Sequence, residues 1–276
     1  MNVWELCPFD FCEFAFMQRA LVAAALVGLA APSIGVFLVQ RRLSLMGDGI
    51  GHVTLVGVGA GFLLGTSPVV LAIVAAALGA VAIELLRERG RAAGDVALAV
   101  IFYGGLAGGI LIMSLGGASP TSMITYLFGS VLLVDGSEIA IIAIVATAVL
   151  ALTFALRKPL FAVCYDEEVA RVSGISVRSI NLLIAIAAAI TIGVSMRVVG
   201  ILLVSAMLVL PVAAVQQLTR SFSATVSAGL ALGLVTSVGG LIAAYYLNSQ
   251  PGGTIVVGAI IAFVVATILG RRSVMA

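Results

Sequence analysis

Charge is what this chain has least of. Asp, Glu, Lys and Arg make up 9% of its 276 residues, and hydrophobic types make up 62%, where soluble proteins run near 25% and 45–50%. That balance excludes a water-soluble fold and leaves an integral membrane protein. Histidine occurs once and cysteine three times. One histidine excludes the His-Glu-x-x-His of a membrane metalloprotease. Cys7, Cys12 and Cys164 lack the spacing of a metal finger, while Cys7 and Cys12 could pair in an oxidising compartment or stay as thiols. No Gly-x-x-x-x-Gly-Lys-Ser/Thr loop is present, so ATP hydrolysis is not expected of this chain. There is no Arg-rich voltage-sensor repeat, and no second aspartate at membrane depth for an intramembrane aspartyl protease. Without a long hydrophilic stretch, residues 1–276 read as a single transmembrane domain, with no nucleic-acid partner expected.

Apolar runs fill the rest. Nine spans fit the hydropathy, at roughly 16–40, 44–65, 68–86, 96–115, 137–157, 179–196, 199–217, 224–247 and 253–270, with the shorter ones open to being half-helices. The predicted fold class is all-α, a polytopic transmembrane helix bundle of eight to nine spans. Residues 121–134 are apolar but short, and read as a re-entrant or surface helix. Residues 1–14 carry Glu5, Asp10 and Glu13 and no basic stretch, so the first hydrophobic segment is expected to be retained.

Lys and Arg set the orientation. With the N-terminus outside and the C-terminus cytoplasmic, twelve basic residues fall inside, and only Arg19 and Arg197 fall outside. Glycines recur every fourth position at Gly57/Gly61/Gly65, Gly104/Gly108, Gly105/Gly109 and Gly229/Gly233. They read as close helix packing in lipid, with no chemistry assigned.

Asp48 and His52 are the candidate ligands. Asp48 lies roughly 9 Å past Arg42 at ~1.5 Å per residue, and His52 sits one turn deeper on nearly the same face. Ionisable groups at that depth face a bundle interior or aqueous path and mark function, and a carboxylate beside an imidazole can ligate a divalent cation. The bland alternative makes Asp48 the cap of a helix beginning at Gly49 and His52 an interhelical hydrogen-bonding residue.

Three other polar features complete the reading. Arg197 is expected to snorkel to the interface, a gating ion pair with Asp135 or Glu138 being the alternative. Glu84 is expected to form a salt bridge at the cytoplasmic end near Arg87 and Glu88. The loop from Lys158 to Arg178 is the longest hydrophilic stretch, and Asp166 to Arg171 reads as a short amphipathic helix with acids in its first turn and a stop at Gly174. Such a helix suits docking in a partner's groove, or serves as a solvated connector.

Four ordered motifs carry a resemblance. Arg41-Arg42-Leu43-Ser44-Leu45-Met46-Gly47-Asp48-Gly49-Ile50-Gly51-His52, Tyr126-Leu127-Phe128-Gly129-Ser130, Asp166 to Gly174 and Val199 to Pro211 together resemble the permease subunits of zinc and manganese ABC importers, of the ZnuB and MntB type. The likeness runs from about residue 16 to 270. It implies a type II importer fold and a homodimer in the lipid bilayer. The implied partners are two cytoplasmic ATPase subunits and an extracytoplasmic metal-loading solute-binding protein. It also implies that Asp48 and His52 coordinate the metal, that Asp166, Glu168, Ala170 and Gly174 belong to the segment contacting the ATPase, and that residues 121–134 lie near the external gate. No catalytic residue and no permanently bound cofactor are implied, only a transported divalent cation. A two-fold pair of second spans would offer two carboxylates and two imidazoles, which suits tetrahedral zinc and, with added water, manganese. At Phe102-Tyr103-Gly104-Gly105 the chain departs from some zinc permeases that carry a histidine there. Manganese or iron therefore stays open beside zinc, and whole-chain likeness favours zinc. The reading from another class is a stand-alone secondary transporter or channel.

Overall fold

Hydropathy and the backbone's need for internal hydrogen bonding in lipid leave helices as the route through a membrane for such a chain. The computed structural model describes residues 13–88, 91–130 and 136–275. Twelve helices follow in order: α1 Ala15–Gln40, α2 Ser44–Leu64, α3 Pro68–Glu88, α4 Arg91–Leu115, α5 Pro120–Phe128, α6 Gly136–Ala155, α7 Arg157–Tyr165, α8 Glu167–Val172, α9 Val177–Val199, α10 Ile201–Gln216, α11 Phe222–Leu247 and α12 Pro251–Met275. Among the described residues there is no strand.

Eight of these helices, α1 to α4, α6, α9, α11 and α12, are long and apolar enough to cross a membrane. The stretch expected as a span at 199–217 is α10, with 16 residues. At ~1.5 Å per residue it reaches about 24 Å, short of a roughly 30 Å hydrocarbon core. The expected eight to nine spans are thus eight long helices and one short apolar one. Residues 121–134 hold the nine-residue α5, as expected of a short helix there.

α1 and α9 form the buried centre, and α2, α3, α10 and α11 pack around them. The four-spaced glycines do what packing requires of them. A Cβ on Gly57 or Gly61 would lie 2.3 or 2.4 Å from α3 backbone, and one on Gly109 2.7 Å from Leu55 of α2. Their absence of side chain lets α2 sit against both neighbours. Gly104 and Gly108 meet nothing within 4 Å, so that pair does not pack within the chain.

A second junction was not foreseen. Gly200, the single residue between α9 and α10, has φ +92°, and its Cβ would lie 2.3 Å from the Phe128 carbonyl carbon. Gly252 at the start of α12 is as tight, 2.1 Å from the Val199 oxygen. The ends of α5, α9, α10 and α12 therefore meet backbone to backbone where no larger residue fits.

Candidate metal site

α1 turns into α2 through Arg41, Arg42 and Leu43. Arg42 takes the left-handed conformation at φ +58°, and the Leu43 amide reaches back to the Leu38 carbonyl at 2.7 Å. α2 then begins at Ser44, so Asp48 lies inside the helix and caps nothing. The capping alternative for Asp48 is excluded on this geometry.

The residues around Asp48 are small for a reason. Gly47 and Gly51 present bare backbone to α10, so that their Cβ atoms would lie 3.4 Å from Ser205 and 3.3 Å from the Ile201 oxygen. This close crossing brings the Ser205 hydroxyl onto Asp48 Oδ1, to which it donates a hydrogen bond. The other carboxylate oxygen makes no hydrogen bond among the described residues. His52 is 6% exposed, and its Nδ1 lies 2.7 Å from the Asp48 backbone carbonyl. A carbonyl only accepts, so Nδ1 carries a proton, and in the neutral imidazole Nε2 keeps its lone pair. Phe102 of α4 covers the imidazole at 4.0 Å between ring centroids, tilted by 55°. Just below, a Cβ on Gly105 would lie 2.8 Å from the His52 carbonyl carbon.

The arrangement brings together one carboxylate and one imidazole, two groups of the kind that bind divalent cations. One carboxylate oxygen and one imidazole nitrogen remain available, each held in orientation by a second group, which is how metal ligands are usually prepared. Zinc takes four ligands. Among the described residues no group of three or more His, Cys, Asp or Glu comes together.

The hydrophilic loop contains more order than its sequence shows. Its first part is α7, a helix not expected there, and its second is the expected short helix, α8. Asp166 caps α8, its Oδ1 accepting from the Glu168 and Val169 amides at 2.8 and 3.0 Å. Ala170 is buried against Val163 and Val177, and Gly174 closes the helix at φ +83°. Glu168 faces solvent beside Val169 and Val172, the latter 90% exposed. Of the four residues chosen from the sequence, three build the helix and Glu168 lies on its open face.

Glu167 was missed. Its carboxylate pairs with the Arg41 guanidinium, which also donates to Asn181 Oδ1 of α9. Arg41 thus ties α8 and α9 to the residue three places before α2. Burial, and then the neighbouring Arg87, lower the Arg41 guanidinium below its ordinary value. Ser205 was missed as well. A lone hydroxyl in an apolar helix carries little signal, because those of Thr54 and Thr191 merely bond carbonyls of their own helices.

One expectation about charge changes and another holds. Arg197 does not snorkel: its Nε donates to Glu138 Oε1 at 2.8 Å, and its guanidinium lies 5.5 Å from the Tyr126 ring centre. Asp135, the other named partner, and Cys7 and Cys12 lie outside the described residues. Glu84 forms the expected salt bridge, to Arg87 at 2.7 and 2.9 Å, but it is buried at 1% exposure. Asp48 is therefore not the sole carboxylate drawn into the bundle.

Eight membrane-length helices enclosing a carboxylate and an imidazole with open valences are the architecture of a multi-pass membrane permease. The profile of the ABC 3 transport family matches residues 13–270, and the chain belongs to that family. It is 30% identical over 245 residues to the manganese transport system membrane protein MntC of Listeria innocua, covering 89% of this chain and 87% of the relative. It is 26% identical over 244 residues to the high-affinity zinc uptake system membrane protein ZnuB of Haemophilus influenzae, covering 88% and 93%. Among solved structures it resembles a chain of PsaBC from Streptococcus pneumoniae in complex with Fab, with TM-score 0.84 and 31% identity over 92% of this chain and 91% of that one.

Proposed function

We propose that the chain is the membrane-spanning permease subunit of an ATP-driven importer for divalent metal ions, with zinc the favoured cargo. The observation that carries the reading is the Asp48/His52 pair, one turn apart, with Nε2 and one carboxylate oxygen unclaimed while their companion atoms are tied down. Relatives named for manganese and for zinc transport support metal as the cargo class.

In this reading two copies assemble so that each α2 approaches the two-fold axis, and the two pairs give the cation two carboxylates and two imidazoles. Four such ligands suit zinc, and added water would extend the set toward manganese. With no thiolate in the set, binding stays weak enough for release, as a transport site requires. The N-terminus faces outward and the C-terminus the cytoplasm, which requires the short α10 to bring the chain back across the bilayer between α9 and α11 as a ninth crossing. α8, with Asp166, Glu168, Ala170 and Gly174, is then the contact for a cytoplasmic ATPase. The Arg41 link gives motion there a short route to α2. An extracytoplasmic solute-binding protein delivers the ion. The chain itself hydrolyses nothing.

Reconstitution into liposomes tests the reading. Metal uptake is expected only with a cognate ATPase, ATP and binding protein, and uptake by the lone chain without ATP would make it a secondary transporter or channel. Competition between zinc and manganese in the assembled system then assigns the cargo.

A further inference from the structure

Away from the Asp48/His52 pair, α1, α6, α7 and α11 enclose a cavity of about 290 Å³ that the transport reading does not use. Its wall is largely apolar, with Phe37, Phe154, Phe161, Phe222, Val226 and Leu230. Phe161 and Phe222 meet edge to face at 4.9 Å, and Phe37 lies 5.8 Å from Phe222. The two hydroxyls of the inner wall are already satisfied. Ser33 donates to the Ala30 carbonyl at 2.7 Å and Thr153 to the Val149 carbonyl at 3.0 Å. Ser223, the third hydroxyl of the lining, is exposed at the start of α11, so the depth of the cavity offers contact area rather than hydrogen bonds, which suits a hydrocarbon chain.

The mouth is of the opposite character. Arg157 and Lys158, the latter the only lysine of the chain, line it and are exposed. Neither has a carboxylate partner among the described residues, whereas Arg41, Arg87 and Arg178 are each ion-paired. Position adds to this. α6 ends at Ala155, so the two cations stand within a turn of the end of a membrane span, at headgroup depth. α7 presents Phe161 and Tyr165 beside them, aromatic residues of the kind that settle at a membrane interface.

We infer that this cavity binds one anionic phospholipid, an acyl chain lying against the phenylalanine wall and the phosphate held by Arg157 and Lys158. Apolar depth, paired cations and interfacial level coincide at one place, and basic pockets between membrane helices are the sites where acidic headgroups bind. The site lies where α6 passes into α7, two helices before α9 and directly before α8. Lipid occupancy would therefore brace the segment from which α8 projects. The inference does not depend on which cation the chain carries.

Native mass spectrometry of the full chain in neutral detergent tests it, with phosphatidylglycerol and phosphatidylcholine of identical acyl chains as probes. Each cation near an acidic headgroup contributes about fivefold, so the wild type is expected to retain phosphatidylglycerol more than tenfold better. The Arg157→Gln/Lys158→Gln variant should bring that preference close to one, and both positions are exposed, so the fold survives. Val226→Trp, which fills the cavity without touching charge, should reduce retention of both lipids. Equal retention of the two lipids by the wild type, or an unchanged preference in the charge variant, overturns the proposal. So does displacement of bound lipid by millimolar inorganic phosphate, which would make this a phosphate site without an acyl subsite.

Discussion

Asp48 with His52 and Arg197 with Glu138 are two polar pairs set into the same apolar bundle, and their bonding is opposite. Arg197 and Glu138 bond to each other directly through Glu138 Oε1, the guanidinium resting on Tyr126 as well. Asp48 and His52 do not bond to each other through their side chains. Ser205 orients the Asp48 carboxylate and the Asp48 backbone carbonyl orients the His52 ring, which leaves one carboxylate oxygen and one ring nitrogen without a hydrogen bond among the described residues. A pair whose side chains bond to each other contributes to stability, and a pair held apart leaves atoms available to the cation of the proposed function. Removing a partner should therefore damage the first pair through folding and the second through function.

The largest expected effect is on transport. Asp48→Ala and His52→Ala should each lower metal uptake in reconstituted liposomes at least a hundredfold, with expression and assembly retained on size-exclusion chromatography. Uptake at the wild-type level would show that the pair is structural. Next comes Ser205→Ala, which frees the carboxylate to rotate while leaving both ligands. Loss of a group that orients a metal ligand typically costs 10- to 100-fold in affinity, so about a tenfold weaker apparent affinity is expected, with Ser205→Thr restoring most of it.

Arg197→Ala should reverse the pattern. Breaking a fully buried ion pair costs about 3–5 kcal/mol. Because Arg197 keeps 22% of its side chain exposed, a loss nearer 2 kcal/mol is expected, read as a lower unfolding temperature in detergent. Asp48→Ala should shift that temperature by much less, and an equal shift would dissolve the contrast between the pairs. The smallest effect concerns Cys164, outside the spans on α7. Burial pushes its thiol up to about 11, with Arg41 pulling the other way. Maleimide labelling of the folded chain at pH 8 should therefore be slow and should rise as pH approaches that value. An unfolded chain, with an ordinary thiol near 8.5, labels at pH 8. Equal rates would show that Cys164 is not enclosed.

Much of this was legible in advance because it is local. The hydrophobic runs predict the helices to within a few residues, Asp166 and Gly174 bracket α8 by standard capping chemistry, and the spacing of Asp48 and His52 places them one turn apart on a single helix. α7 was not legible: Lys158 and Pro159 near its start read as the beginning of a loop after a span ending at Arg157, yet Pro at an early helical position is well tolerated. Arg197 was misread for a different reason. Near a span end, snorkelling and pairing have the same sequence signature, and only the approach of α6 to α9 separates them.

By itself, then, the sequence determined that this chain lives in a membrane, that it does so as a helix bundle, and that a carboxylate and an imidazole share one helical face. Those properties follow from composition and from the 3.6-residue period, which act over a few turns. Tertiary structure decided which atoms stay available. Ser205 meets Asp48 across 157 positions of sequence, Asn181 meets Arg41 across 140 and Arg197 meets Glu138 across 59. Each meeting is set by where helices cross, and the α2–α10 crossing by where the bare backbone of Gly47 and Gly51 lets them approach. No local pattern encodes those distances, so which side chains bond to each other became legible only in the folded bundle.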